Sequence, residues 1–268
     1  MRAASIPGKL IQLSNLALGQ WPAFIQAWWQ RRKSGTVPCV FPSSLQLIHV
    51  PLQEFYESYW FFSESKQGCA ELGFFLRQLR PGDVLYDIGA FRGAYGAAAK
   101  SVLGDAVQVH AFEPVEENLH RLNTVAELNR FQGFTVVGKA VGSGAAIAGT
   151  VDGKDGMLRQ GDAAGSGASV EFPSTSVDAY AAETGLPPSV MKIDIEGFEF
   201  DLLEGARQTL QERHPRLWVE VHPNFLAAQG KRWEDLIEIL KAAGYSVTFF
   251  DDFHLPTRDL SFHIWCEP

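Results

Sequence analysis

Apolar residues recur along this chain at two different periods, and the change of period divides it into zones. Over 81–222, short apolar runs alternate with amphipathic stretches. The runs at 84–88, 107–112, 134–137, 190–195 and 217–221 have the length and content of buried strands. Within 116–129, Leu119, Leu122, Val125 and Ala126 step by threes and fours, which is one apolar helix face. Residues 97–103 and 200–210 also read as helices. Leu236, Ile237, Leu240 and Ala243 mark another, stopped by Gly244. Strands at 247–250 and 262–265 close the chain. Strands separated by helices predict crossover connections and a mostly parallel sheet. The last two strands lack a helix between them and are expected to pair antiparallel at or near one edge.

The zone before residue 81 is different. Leu10, Leu13, Leu16 and Ala17, then Trp21, Phe24, Ile25, Trp28 and Trp29, follow near-helical spacing, with Arg31, Arg32 and Lys33 after them. A helix packed on the protein is expected, its basic end complementing the helix dipole; the other reading is contact with a membrane surface. Phe55, Tyr56, Tyr59, Trp60, Phe61 and Phe62 form a second aromatic cluster, read first as core and second as a cover for a substrate cleft. The expected organisation is a helical extension or substrate cap at 1–80 and an α/β domain at 81–268. The Gly-, Ala- and Ser-rich stretch 142–173 is long for a connection and is expected to be a small hairpin insertion or a loop near the active site.

Composition narrows the class. Of 268 residues, 46% are hydrophobic and 20% charged, as in ordinary globular chains. The net charge of −8 argues against general nucleic-acid binding, which depends on neutralising phosphates. Cys39, Cys69 and Cys266 form no C-x-x-C pair and no disulfide framework, so a reducing, cytoplasmic setting is expected. No apolar run is long enough to span a bilayer, and no secretory signal is evident.

Candidate chemistry begins at Asp87. In an open α/β sheet, ligands bind beyond the carboxyl ends of the strands. The first strand ends in an acid and turns through Gly89, Ala90, Phe91 and Gly93 into a helix; glycines there allow close approach of a ligand to the backbone. Glu113, followed by Pro114, closes the second strand, where an acid can accept hydrogen bonds from both hydroxyls of a ribose. Together these residues describe a nucleoside-cofactor site. The run Gly89-Ala90-Phe91-Arg92-Gly93-Ala94-Tyr95-Gly96 does not match the dinucleotide spacing G-x-G-x-x-G, which argues against a nicotinamide oxidoreductase, and no Walker A loop occurs. D-x-G-x-x-x-G with a downstream acid fits S-adenosylmethionine better.

A second constellation lies further on. Strand alternation puts Lys192, Asp194 and Glu196 on one face, and Trp218, Glu220 and His222 on one face of the next strand. If the strands are neighbours, Asp194, Glu196, Glu220 and His222 converge at the carboxyl edge of the sheet. Lys192 is expected to pair with a neighbouring carboxylate. Glu199 reads equally as a helix N-terminal acid or a functional one. A carboxylate, or His222 with its ordinary pKa near ~6.5, could take a proton from a substrate hydroxyl as it attacks a methyl sulfonium. An alternative is a divalent ion held by Asp194, Glu220 and His222, although no metal is part of the favoured reading. The remaining histidines, among them His254 and His263, show no ligand spacing.

Five ordered blocks carry a resemblance to a known family: Asp87-Ile88-Gly89-Ala90, Ala111-Phe112-Glu113-Pro114, Ala140-Val141-Gly142, Lys192 through Glu199, and Glu220-Val221-His222. Leu203-Glu204-Gly205-Ala206 fits as well. The chain resembles the FkbM family of S-adenosylmethionine-dependent methyltransferases over roughly residues 82–222. The resemblance implies an α/β, Rossmann-like class I methyltransferase fold. That is a seven-stranded, mostly parallel sheet with helices on both faces and the last strand antiparallel, here with an N-terminal helical extension. It implies methylation of a hydroxyl on a small molecule, sugar or polysaccharide unit. Carried over, Asp87, Gly89 and Gly93 line the methionine part of the cofactor, Glu113 takes the ribose, and Ala140 and its neighbours flank the adenine. Asp194 faces the transferring methyl, with Glu220 and His222 on the substrate side. One position departs: the family reads D-I-G-A-N-x-G, and Phe91 stands where Asn is usual. That departure motivates a second reading, a protein that binds the cofactor without turnover. Oligomer formation stays open.

Overall fold

The computed structural model describes residues 11–15, 20–151, 158–159, 170–250 and 261–268. Leu10, Leu16, Ala17, His254, the loop at 251–259 and most of the tip of 142–173 lie outside the described residues. Contact density divides the chain into two compact units.

The first unit draws on Met1–Gly82, Arg92–Gln108 and His120–Phe134. Helix α1 (Trp21–Ser34) buries Phe24 but leaves Ile25 and Trp29 exposed. Strand β1 (Thr36–Cys39) pairs antiparallel with β2 (Ile48–Pro51). Residues 52–64 are helical, with a π turn at Phe55–Tyr59 that carries Phe55 and Tyr59 into the core. Tyr56, Trp60, Phe61 and Phe62 of the aromatic cluster are half-buried. Helix α2 (Lys66–Gln78) starts at Ser65, whose Oγ accepts from the Gly68 N–H at 3.0 Å, a serine N-cap. Helix α3 (Ala94–Leu103) follows Gly93. Arg92 and Arg121 share Glu54 and Glu57, with Arg121 Nη1 at 3.0 and 3.1 Å from the two carboxylates. Helix α4 (Glu116–Leu128) has residues in both units.

The second unit, Asp83–Phe91, Val109–Leu119 and Thr135–Pro268, holds the functional candidates. Its strands are β3 (Val84–Ile88), β4 (Gln108–Phe112), β5 (Phe134–Val137), β6 (Ala140–Val141), β7 (Ile147–Val151), β8 (Leu158–Arg159), β9 (Val170–Phe172), β10 (Ser174–Thr175), β11 (Val190–Ile193), β12 (Arg216–Val221), β13 (Ser246–Phe249) and β14 (Phe262–Glu267). Seven form the main sheet in the order β13-β14-β12-β11-β3-β4-β5, mixed and mostly parallel. Strand β14 runs antiparallel to both of its neighbours, as the missing crossover predicts. Buried Tyr86, Ile88, Met191, Ile193, Leu217, Val219 and Ile264 fill the core, which also takes apolar residues of α5 (Val177–Thr184), α6 (Glu199–Gly205), α7 (Arg207–Glu212), α8 (Pro223–Ala228) and α9 (Trp233–Ala242).

Strands β3, β4 and β5 extend to one side of the sheet, while β11 and β12 extend to the other. The order therefore reverses between β3 and β11, the place where open α/β sheets leave a crevice. The 142–173 stretch contributes a small antiparallel sheet in the order β8-β7-β9, so its ordered part is an insertion of strands. Strand β11 is shorter than the apolar run suggests. It ends at Ile193, after which Glu196 (φ 50°) and Gly197 (φ 104°) turn the chain. Among the described residues, no helix is long and apolar enough to cross a membrane.

Candidate active site

At the reversal point the loop after β3 and the loop after β11 pass within contact of each other. The Asp194 N–H donates to the Ile88 carbonyl at 3.1 Å, and a Cβ placed on Gly89 would lie 1.8 Å from the Asp194 carbonyl oxygen. Gly89 also has φ 73°. Its glycine is thus required by the protein's own backbone, and it also lines the cavity where a ligand was expected to approach. Gly93 (φ 80°) belongs to the first unit, where a Cβ would lie 2.2 Å from Leu122 Cδ1; local packing explains it equally well.

Beside the Gly89 loop is a cavity, open at its mouth. Ile88, Phe112, Val141, Ile147, Leu158, Ile195 and Phe198 supply apolar walls. Gly89, Phe91, Glu113, Pro114, Ala140, Asp194 and Glu196, all expected at a site, also line it. Asp87 and Ala90 do not. Asp87 lies 3.7 Å from Lys192 Nζ, and the Ala90 N–H donates to Phe112 O at 2.9 Å.

Glu113 is buried at the cavity wall. Its Oε2 accepts from the Phe91 N–H at 3.0 Å and its Oε1 from the Val115 N–H at 2.9 Å. Burial raises its pKa to about 7, outweighing these donors and the more distant Lys192 charge. Two carboxylate oxygens offer about four acceptor directions, so capacity remains for a ligand hydroxyl. Phe91 reaches Glu113 through a left-handed backbone (φ 52°), a conformation that Asn tolerates far better than Phe.

The second constellation assembles against the same cavity. Lys192 is buried under it, with Nζ 2.8 Å from Gly89 O, 3.2 Å from Asp194 Oδ2 and 3.7 Å from Asp87 Oδ1. Burial opposes its charge, but Asp194, Asp87 and Glu220 raise its pKa above the ordinary lysine value. The expected ion pair is present. His222, at the end of β12, places Nε2 3.7 Å from Asp194, 3.8 Å from Glu196 and 3.7 Å from Glu220, and Nδ1 3.1 Å from Glu199. Burial would lower its pKa, yet the Glu199 hydrogen bond and the Asp194 and Glu220 charges push it up to about 10. The imidazole is cationic near neutral pH, so the expectation of a free base near ~6.5 fails. Glu220 stays well below the usual carboxylate range despite burial, because His263 and His222 face it.

Asp194, Glu196, Glu220 and His222 do converge, with only Asp194 and Glu196 reaching the cavity wall. Glu196 arrives through the turn after β11, not through strand alternation. Several participants escaped the sequence reading. His263 sits on β14, 3.4 Å from Glu220 and stacked on Trp218 at 4.8 Å. Only the antiparallel register, Glu220 opposite His263, brings it there. Ile147 and Leu158 come from the inserted sheet, and Lys139 precedes Ala140.

A seven-stranded, mostly parallel sheet with an antiparallel strand and a cavity at its reversal point defines a class I methyltransferase fold. Residues 87–247 match the methyltransferase FkbM domain, and the chain belongs to that family. Among solved structures it is similar to the FkbM methyltransferase of Methylobacillus flagellatus KT, with 20% identity and a TM-score of 0.48, over 92% of this chain and 59% of that one. The chain thus spans about three fifths of that relative. It is also similar to a precorrin-6y C5,15-methyltransferase from Geobacter metallireducens GS-15 (12% identity, TM-score 0.46, 76% of this chain and 90% of that one). A SAM-dependent O-methyltransferase of Thermotoga maritima is comparable (11%, 0.44, 74% and 64%). No curated protein matches the sequence.

Proposed function

We propose that this protein is an S-adenosylmethionine-dependent methyltransferase acting on a hydroxyl oxygen of a small molecule or saccharide. The observation that supports it best is the pairing, around one cavity, of a buried ribose-type acceptor, Glu113, with an acid-rich edge. Among the described residues, Asp87, Asp194, Glu196, Glu199 and Glu220 gather about the cationic or titratable groups Lys192, His222 and His263. An edge with surplus negative charge favours a cationic ligand over a phosphate. The apolar walls and the absence of a phosphate-cradling glycine turn point the same way.

S-Adenosylmethionine would supply an electrophilic methyl group on a sulfonium. The chain's own residues bind, orient and move a proton. Glu113 accepts the ribose hydroxyls, and its ionised form is the one that does so. Ile88, Phe112, Val141 and Phe198 exclude water. Lys192 fixes one oxygen of Asp194, leaving the other directed toward His222 and the acceptor side. Asp194 orients the incoming hydroxyl and receives its proton, and cationic His222 stabilises the carboxylates about it. Lining up the hydroxyl with the methyl is a positioning task, for which rigid strand ends are suited.

The test is transfer of labelled methyl from S-adenosylmethionine to a panel of hydroxylated acceptors. Wild-type protein should label an acceptor at oxygen, and Asp194→Asn should lose turnover while still binding cofactor. Turnover undiminished in Asp194→Asn would remove the role given to Asp194. Labelling at nitrogen or carbon would replace the acceptor class.

A further inference from the structure

The least explained feature of the site is the geometry around His222. An imidazolium among carboxylates ordinarily settles on one of them with a short bond, about 2.7–2.9 Å. Here Nε2 stands nearly equidistant, 3.7–3.8 Å, from oxygens of Asp194, Glu196 and Glu220, and is within hydrogen-bond distance of none. The residue as a whole is buried, and Nε2 has no hydrogen-bond partner among the described residues. Its other nitrogen is taken by Glu199, 3.1 Å away and almost fully buried.

That is the arrangement of a metal-binding histidine. A carboxylate behind one ring nitrogen fixes the tautomer and aims the other nitrogen at the ion. Single donor atoms of Asp194, Glu220 and His222 all lie within 4.8 Å of one another. An octahedral ion with bonds near 2.1 Å sets adjacent ligands ~3.0 Å and opposite ligands ~4.2 Å apart. The observed 3.7 Å from Nε2 to both Asp194 and Glu220 falls between these values, so small side-chain shifts would close the shell.

We propose that Asp194, Glu220 and His222 form a binding site for a hard divalent cation of the Mg²⁺ or Mn²⁺ type, with Glu199 as the positioning residue behind His222. Ion binding displaces the Nε2 proton of His222, and the neutral imidazole with two carboxylates suits Mn²⁺ and admits Mg²⁺. Three protein donors leave coordination positions for water and for an acceptor hydroxyl, which the ion would orient and acidify. Asp194 borders the cavity, so those positions are reachable from it. The binding itself does not depend on the methyl-transfer reading.

The test is titration of the full chain with Mn²⁺, followed by electron paramagnetic resonance of the free ion, without cofactor or acceptor. The expected result is saturable binding of a single Mn²⁺ per chain, competed by Mg²⁺. Glu220→Gln and His222→Gln should each weaken it at least ~10-fold, and Glu199→Gln by ~10- to 100-fold, through loss of the carboxylate behind the ring. Folding of each variant is checked by circular dichroism. Should one of them not fold, Asp194→Asn serves in its place. No binding at millimolar Mn²⁺, or wild-type binding in folded variants of the ligands, would overturn the site. Cofactor titration of the same samples is read separately, so loss of the metal site leaves the methyltransferase reading intact.

Discussion

The loop after β3 and the loop after β11 face one cavity and solve opposite problems. Each contains a residue other than glycine in the left-handed region, Phe91 and Glu196, beside a glycine that turns the chain. The β3 loop presents backbone and an aromatic ring, and its Phe91 N–H donates to Glu113. The β11 loop presents charge, balanced from beneath by Lys192 and from the next strand by His222. Steric closeness dominates the first and electrostatics the second. Substitutions in the two loops should therefore fail in different ways.

The sharpest break is Gly89→Ala. Its Cβ has nowhere to go against the Asp194 carbonyl, so a loss of roughly 4–5 kcal/mol in denaturant unfolding is expected. Near-wild-type stability would mean that the loops separate easily. Lys192→Met comes next on the charged side. It leaves buried Asp87 and half-buried Asp194 without their common cation, at a cost of roughly 3–4 kcal/mol at neutral pH. The deficit should shrink as acid neutralises the carboxylates; a deficit independent of pH would assign it to packing.

Protonation sharpens the contrast at smaller scale. Glu113 has a raised pKa of about 7, and hydroxyl donors favour its ionised form, so S-adenosylmethionine should bind more tightly as pH rises. Between pH 6 and pH 8 the gain is about 10-fold, read by calorimetry, and Glu113→Gln should flatten it. For His222 the sign is reversed. Its folded pKa is raised to about 10, so its contribution to stability is full below its unfolded value and fades as pH climbs through about 10. The smallest effect belongs to Phe91→Asn. Relief of the left-handed backbone should stabilise the protein by roughly 0.5–1 kcal/mol, seen as a modest rise in Tm. A fall in Tm would show that the ring's packing outweighs the backbone strain.

Much of this unit is readable from period alone. The runs at 84–88 and 134–137 match β3 and β5 in both bounds; β3 is buried over most of its length, whereas β5 buries only Val137. The antiparallel end of the sheet follows from a missing crossover helix. Two family-like blocks carry packing as well as chemistry: a Cβ on Gly205 would lie 2.0 Å from Gly142 O, and one on Gly142 would lie 2.8 Å from Ile147 Cδ1. Other parts depend on three-dimensional neighbours. His263 reaches Glu220 only through the register of β14, and no spacing along the chain encodes that. The protonation of His222 depends on Glu199, Asp194 and Glu220 acting together, whereas the residue type alone points to an ordinary base. Ile147 and Leu158 join the cavity from the stretch expected to be a hairpin insertion or a loop near the active site, whose small residues do not mark which side chains line the wall.

The central claim is that the cavity between Glu113 and Asp194 is a nucleoside-sulfonium site. Calorimetric titration of the full chain with S-adenosylmethionine tests it most directly, with Glu113→Ala as the comparison. Saturable binding is expected, weakened ~10- to 100-fold in the variant, the loss appropriate to hydrogen bonds on a charged acceptor. Absence of binding by the folded wild-type protein, or equal binding by Glu113→Ala, would contradict the claim.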